Sequence, residues 1–393
     1  MQTLAKRMSA IAPFYVMEVL KQAQELAEKG KKIIHLSIGE PDFQAPPTVL
    51  QALSDAVQAG HMGYTNAKGL NALREQVCAF YTQQFQVTPS PHQILITTGA
   101  SAALTLACLA LVESGCEVLT PDPNYPCNRH FIAAADGIAT LMDCDASTGF
   151  QPTASQVERH WTNRTRGLMV ASPANPTGTR INAHALNAIA EVCHRKQGFL
   201  IVDEIYQGLV YDRPAETALS MPVLKNGFDD LIVVNSFSKY FGMTGWRLGW
   251  MVVPKRLAAD FEKLAQNLSI CAPTLAQHAA LACFSEAALA VCEQRRQEFQ
   301  VRRDFVLGAL ERMGLGVPAK PDGAFYVYAD ISPLSDSSVQ WCKDLLEETG
   351  VCIVPGTDFS KRNGHRYVRI SYAKAMPELE MGMALISSFI QQR

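Results

Sequence analysis

From about residue 93 to residue 253, short apolar, β-branched runs alternate with helical patterns, and this alternation constrains the chain most. It predicts strands over Gln93–Thr98, Glu117–Thr120, Ile138–Met142, Gly167–Ala171, Phe199–Val202, Leu231–Asn235 and Gly249–Val253, with helical stretches such as Ala183–Lys196 between them. Most of these runs are apolar on both faces, as strands covered on both sides must be. The pattern points to an α/β fold, a three-layer αβα sandwich around a mostly parallel central sheet. After Pro254 the pattern changes to helical periodicity over Arg256–Met313, then short strands at Ala324–Ala329, Cys352–Val354 and Tyr367–Ser371. That predicts a smaller α+β domain, joined by the N-terminal segment around Ile33–Leu36. The expected division is an N-terminal segment 1–45 packing with the small domain, a large domain 46–285 and a small domain 286–393.

Composition removes several function classes. The 393 residues carry Lys+Arg 35 against Asp+Glu 37, a formal charge of −2. A near-neutral chain lacks the sequence-independent attraction to phosphate backbones that nucleic-acid binders use, and lacks a polybasic membrane face. With 48% apolar residues it is a folding chain rather than a disordered one. The eleven cysteines form no C-x-x-C pair, so they read as reduced thiols of a cytoplasmic protein, with neither a disulfide framework nor a metal site. The first residues hold no continuous apolar core of a secretory signal. Ile94–Val112 lacks charges and approaches membrane-spanning length, but its threonines, serine and Gly99 read as a buried strand, a turn and a buried helix.

Ligands of open parallel sheets bind at the carboxyl ends of strands, so the loops there carry the functional information. After Gln93–Thr98 comes TTGAS, in which Gly99 opens a helix. Such a turn presents free N–H groups to a phosphate, or is an ordinary helix cap. It matches neither a P-loop nor a dinucleotide fingerprint. After Glu117–Thr120, PDPNYP holds Tyr125 between prolines, able to stack on a flat ring or to pack over its loop. SPANPTGT holds Asn175 extended before Pro176. Asp203 ends a fully apolar strand in DEIY, where it either caps a helix or pairs with a cation such as a protonated ring nitrogen; Tyr206 follows three residues on. SFSKYFGMTGWRLGW places Lys239 among aromatic and glycine residues, where desolvation would make its amine nucleophilic toward carbonyls. Arg247, eight residues on, suits a phosphate dianion. Together these loops describe a site for a flat, phosphorylated heteroaromatic aldehyde, which is the chemistry of pyridoxal 5′-phosphate bound as a Schiff base.

From about Ile11 to the C-terminus the chain resembles the class I/II aminotransferases of the fold-type-I pyridoxal-phosphate enzymes. The resemblance rests on IGEPDF (38–43), GYTNAKG (63–69), TTGAS (97–101), PNYP (123–126), NPTGT (175–179), DEIY (203–206), SFSK (236–239), GWRLGW (245–250) and RISYA (369–373). It implies that Lys239 carries the internal aldimine and shuttles the proton, that Asp203 pairs with the pyridine nitrogen, and that Asn175 and Tyr206 bond the phenolic oxygen. Tyr125 would stack on the ring. The Gly99 and Ala100 backbone, Ser101, Ser236 and Arg247 would hold the phosphate, with Tyr64 reaching the phosphate of a neighbouring subunit in a homodimer with composite sites. Arg369 would clamp the substrate α-carboxylate, helped by Gly39 and Asn175, and the IGEPDF loop would close over the substrate. By itself, an arginine on a strand such as YVRISYA is more often a surface residue, so this role comes from the resemblance.

The implied activity is transfer of an amino group from an L-amino acid to a 2-oxo acid of the pyruvate or 2-oxoglutarate type, by a ping-pong mechanism. A C–S β-lyase or other α,β-eliminating enzyme on the same scaffold is the alternative. A regulator with an aminotransferase-like body would carry an N-terminal DNA-binding unit, for which the resemblance leaves no room. No second arginine is identifiable for a side-chain carboxylate: Arg129 and Arg180 read equally as surface charges, so specificity for aspartate or glutamate does not follow.

Overall fold

The computed structural model describes residues 4–13 and 15–393; residues 1–3 and 14 of the N-terminal segment 1–45 lie outside the described residues. Twelve strands form among them: β1 (Ile34–His35), β2 (Ile94–Thr97), β3 (Glu117–Asp122), β4 (Ile138–Asp143), β5 (Thr165–Ala171), β6 (Phe199–Asp203), β7 (Leu231–Ser236), β8 (Gly249–Val252), β9 (Tyr326–Asp330), β10 (Val351–Cys352), β11 (Val354–Pro355) and β12 (Tyr367–Ser371).

Seven of them make the central sheet, in the order β2-β8-β7-β6-β5-β3-β4. Pairing is parallel from β7 through β6, β5 and β3 to β4, and β8 alone runs antiparallel to its neighbours β2 and β7. Side chains of a strand alternate between faces, and here both faces are apolar. Leu200 and Val202 pack into one core with Leu168, Val170 and Val233, while Ile201 packs into the opposite one with Met169, Ile232 and Val234. Burial on both faces is what the continuous apolar runs required. Strand β3 lies between β4 and β5, so the direction of winding reverses there and opens a crevice at the carboxyl ends.

The second body is built on β9, β11 and β12, paired antiparallel in the order β11-β12-β9, and on the parallel pair β1-β10. Its core joins Val327, Ala329, Val368 and Ile370 to Val306 and Leu310 of the long helix Glu286–Arg312. The proposed division at 285/286 falls at Ser285, whose side chain caps that helix by accepting the Ala288 N–H. Two arginines of the helix are buried and reach outward: Arg302 pairs with Asp42 at 2.7 Å and Arg303 with Asp212 at 2.8 Å. Removing one partner of such a pair would strand a buried charge, so these contacts fix the helix against the N-terminal segment and the large body.

The Ile94–Val112 stretch divides into β2 and the helix Gly99–Leu111. Among the described residues no single helix is long and apolar enough to cross a membrane. The helical periodicity over Arg256–Met313 is interrupted twice. Helix Ala258–Ser269 ends in a three-residue turn centred on Ile270 (φ +62°), closed by the Cys271 N–H donating to Ser269 O at 2.7 Å. Pro273 imposes the stop, because it lacks an N–H and disfavours helical geometry in the residue before it. The Ala324–Ala329 strand begins only at Tyr326, since Ala324 has φ +56° and donates its N–H to Leu209 O instead. Cys352–Val354 splits: Val351–Cys352 pairs with β1, while Val354–Pro355 pairs with β12.

Candidate active site

A cavity of about 330 Å³ lies at the carboxyl ends of the central strands, against the small body. Gly39, Ala100, Ser101, Tyr125, Asn175, Asp203, Tyr206, Lys239, Arg247 and Arg369, all expected to serve the site, line it together.

At one end, the helix Gly99–Leu111 points its N-terminus into the cavity. Thr98 makes no side-chain cap there, so the first N–H groups stay available, as an anion site requires. Gly99 has φ +78°, and a Cβ on it would stand 2.7 Å from Arg247 Nη2. Only glycine allows the guanidinium to lie that close to the helix start. Arg247 is anchored by donating from Nη1 to Thr244 O at 2.9 Å. Ser236 sits behind the wall: its hydroxyl is turned to Leu248 O (3.1 Å) and Ser238 Oγ (2.9 Å), and Ser238 lines the cavity in its place.

Asp203, the last residue of β6, is buried. A turn follows it rather than a helix, so it caps no helix; its Oδ1 accepts the Ile205 N–H at 3.1 Å. Among the described residues no basic group forms an ion pair with it. Burial pushes its carboxyl up to about 7, opposed by that N–H and by the charge of Lys239. Such a group gains from a cationic ring nitrogen, which would restore its ordinary ionisation. Tyr125 lines the same wall, and burial raises its phenol above the ordinary range.

Lys239 follows β7 in a turn, and its Nζ donates to Gly39 O at 2.6 Å. Burial pulls the ammonium down to about 8, against the opposing attraction of Glu40, and Arg247 and Arg369 lower it further. A useful fraction of neutral amine is therefore present near neutrality. Gly39 has little room: a Cβ there would stand 2.6 Å from Tyr326 Oη.

Arg369, central in β12, is 2% exposed, so it is no surface residue. Its Nη1 donates to Asn175 Oδ1 at 2.9 Å and its Nη2 to Ser37 O at 2.6 Å. Its guanidinium lies 4.4 Å from the ring centre of Tyr326 and 4.8 Å from that of Phe359. Its Nε is buried without a partner, and its charge meets no carboxylate within ion-pairing distance among the described residues. The group is held rigid, and its charge is left for an anion. With its Oδ1 engaged, Asn175 offers its NH₂ as a donor. Tyr206 Oη shares a 2.9 Å hydrogen bond with Tyr326 Oη.

Tyr64 stands apart: it is 81% exposed and outside this cavity. Arg129 and Arg180 are not solvated surface charges. Arg129 is partly buried and donates to Asp358 O at 3.0 Å, and Arg180 pairs with Asp322 at 3.3 Å; neither lines the cavity. Several lining residues went unnoticed in the sequence: Ser238, Tyr326, Glu40, and Val16, Met17 and Leu20 of the N-terminal helix Tyr15–Glu28. The run GAFYVYAD could have flagged Tyr326 by its parity with buried neighbours, but nothing local marks the N-terminal helix.

Comparison with known proteins finds aminotransferases. The family model for aminotransferase class I and II matches residues 31–385. The valine–pyruvate aminotransferase of Mycobacterium tuberculosis is 39% identical over 382 residues, 97% of each chain. The aspartate aminotransferase of Thermotoga maritima is 32% identical over 391 residues, 99% of this chain and 100% of that one. A crystal structure of an aminotransferase from Mycobacterium tuberculosis superposes with a TM-score of 0.94 at 38% identity, covering 100% of both chains.

Proposed function

The chain belongs to the class I and II aminotransferase family, and we propose that it moves the amino group of an L-amino acid to a 2-oxo acid of the pyruvate or 2-oxoglutarate type, by a ping-pong mechanism using pyridoxal 5′-phosphate. It is an aminotransferase with the αβα architecture of fold type I. The observation that carries the cofactor and residue assignments is the convergence on one cavity of Lys239 from the turn after β7, Asp203 from the end of β6 and Arg369 from β12.

The residues present fit the cofactor. The uncapped helix start at Gly99 and Ala100, with Ser101, Ser238 and Arg247, would hold the phosphate. Asp203 would face the ring nitrogen, Asn175 and Tyr206 the phenolic oxygen, and Tyr125 the ring face. When bound, pyridoxal phosphate supplies a carbonyl for the amino group and an electron-withdrawing ring that stabilises charge at Cα.

The chain's own residues do the rest. Lys239 would supply the amine that meets the cofactor's carbonyl, and would then take up and return the Cα proton; its lowered affinity for protons suits that task near neutral pH. Asp203, as a carboxylate, keeps the ring nitrogen protonated. Arg369 binds the α-carboxylate and so orients the Cα–H bond toward Lys239, with the Gly39 N–H and Asn175 beside it. The Ile38–Phe43 loop closes the cavity and excludes water.

The functional unit is a homodimer with composite sites. The exposure of Tyr64, beside the exposed apolar Met62, supports a surface covered by a second copy. Eleven free thiols support a cytoplasmic protein.

The test is a donor panel with pyruvate and 2-oxoglutarate, following the new amino acid and ammonia in parallel. Stoichiometric transfer without ammonia is expected. Ammonia and 2-oxo acid formed without an acceptor would overturn the assignment in favour of elimination.

A further inference from the structure

In the turn DEIYQ (203–207), Asp203, Ile205 and Tyr206 line the cavity, whereas Glu204 and Gln207 are buried away from it and line a separate one of about 50 Å³. A buried glutamine must find partners for both ends of its amide. Gln207 does so in one orientation only. Its Nε2 donates to Glu204 Oε2 at 2.6 Å and to Glu216 O at 2.9 Å. A peptide carbonyl can only accept, so the NH₂ must face Glu216 and Oε1 must face the other way.

On that other side Oε1 accepts from Asn235 Nδ2 at 3.1 Å. This fixes the Asn235 amide in turn, and its Oδ1 accepts the Ser236 N–H at 2.8 Å. The Ser236 hydroxyl accepts the Ser238 N–H at 3.0 Å and donates to Ser238 Oγ at 2.9 Å, the nearer of its two acceptors. Gln207, Asn235, Ser236 and Ser238 are all buried, so each bond is strengthened by its low-dielectric surroundings. The chain of bonds ends on the one hydroxyl of this turn that lines the cavity. With its oxygen accepting from Ser236, Ser238 keeps its own proton for a group inside the cavity.

The strand that carries this chain abuts the anion site. Gly249 pairs with Ser236, and a Cβ on it would stand 2.9 Å from Asn235 O and 3.0 Å from the Ala100 nitrogen. Only glycine lets the end of β7 and the start of the helix Gly99–Leu111 come this close.

We propose that Gln207 is a positioning residue for the cofactor's phosphate: through Asn235 and Ser236 it aims the Ser238 hydroxyl as a donor into the cavity. The proposal rests on the reading of this end of the cavity as the phosphate site of pyridoxal phosphate.

The test compares the affinity of the cofactor-free protein for pyridoxal phosphate and for pyridoxal, which lacks the phosphate, from the absorbance of the bound form. A hydrogen bond to a charged group is worth about tenfold or more. Ser238→Ala should therefore lower the preference for the phosphorylated form by about tenfold. Gln207→Leu leaves Asn235 Nδ2 without its acceptor, and Asn235→Asp sets two acceptor oxygens against each other; each should lower the preference while pyridoxal affinity is retained. Because Gln207 acts through Ser238, Gln207→Leu combined with Ser238→Ala should lose no more than Ser238→Ala alone. A side chain that only stabilised the fold would weaken both ligands alike and add its loss to that of Ser238→Ala. Asn235→Asp carries the same comparison should Gln207→Leu not fold. Calorimetry with inorganic phosphate gives a second readout, and its affinity should fall in the same variants. If the unaltered protein prefers pyridoxal phosphate but a folded variant leaves that preference unmoved, or the losses add, the role of Gln207 is refuted and the cofactor reading stands. If inorganic phosphate binds, and binds more weakly in the variants, yet pyridoxal phosphate is not taken up, the role of Gln207 at an anion site stands and the cofactor reading falls. If neither ligand binds, both fall.

Discussion

The two walls of the cavity are built on different plans. The wall proposed for the cofactor takes Ser101, Tyr125, Asn175 and Lys239 from three or four residues after strands of one sheet, and Asp203 from the last position of β6. The substrate wall takes Val16, Ile38 and Gly39 from the start of the chain, and Tyr326 and Arg369 from its last fifth. The first wall is anchored to strands buried on both faces. The second joins a helix docked through Asp358 to an arginine held by Asn175 and the Ser37 carbonyl. On the proposed roles, the difference teaches that chemistry is kept on the rigid sheet, while recognition of the substrate sits on elements that can vary without disturbing it.

The largest effect should come from the cofactor wall. Lys239→Ala removes the amine that meets the carbonyl and moves the proton, so turnover should fall by about 10³-fold or more, with loss of the pH-sensitive absorbance of the bound cofactor. A variant retaining both would break the assignment of chemistry to this wall.

Arg369→Lys is the matching test of the substrate wall. A lysine keeps the charge but loses the planar fork and the stack on Tyr326, so kcat/KM should fall by about 10²-fold for every α-amino acid while cofactor affinity is retained. Loss of cofactor affinity of the same size would erase the division between the walls.

Asp203→Asn has an effect that depends on pH. In the cofactor-free protein the Asp203 carboxyl stands at about 7, above its unfolded value near 3.8. Between those values the folded state holds the extra proton, so this group makes stability fall as pH rises from about 4 to about 7. Lys239, lowered to about 8 from 10.5, acts in a separate and higher window. Asp203→Asn should thus stabilise the cofactor-free protein above pH 7, by up to a few kcal/mol, and leave it unchanged near pH 4. Thermal melts at both pH values check this, and equal shifts at the two would refute it.

The smallest effect is expected from Tyr326→Phe. It removes only the 2.9 Å hydrogen bond to Tyr206, so kcat should change by a few-fold with the Arg369 stack retained. A hundredfold loss would mean that Tyr326 itself touches the reacting atoms.

Most of the cofactor wall was legible in the sequence. Asp203 after FLIV and Lys239 after LIVVNSFS could be placed because an apolar strand fixes both the position and the direction of the residue that ends it. The interchange of Ser236 and Ser238 was not legible, since both hydroxyls lie in one turn and only its geometry decides which faces inward. The N-terminal helix was missed for a different reason. Its apolar face looks like any helix face packed on a core, and its neighbours Asp358 and Phe359 lie more than 300 residues away in sequence. The helical stretch after Arg256 was read as longer than it is, because periodicity survives a turn such as the one at Ile270 while the backbone does not.

By itself, then, the sequence determined the αβα sheet, the strand-end residues and the identity of the chemistry, because these depend on local patterns of two and three to four residues. Only the tertiary structure decided that Arg369 is buried with its Nε unpaired, that Asp203 has no ion-pair partner among the described residues, and that the N-terminal helix lines the cavity. Those facts depend on contacts between residues far apart in the chain, and burial and electrostatic environment come into being only when the two bodies close on one another.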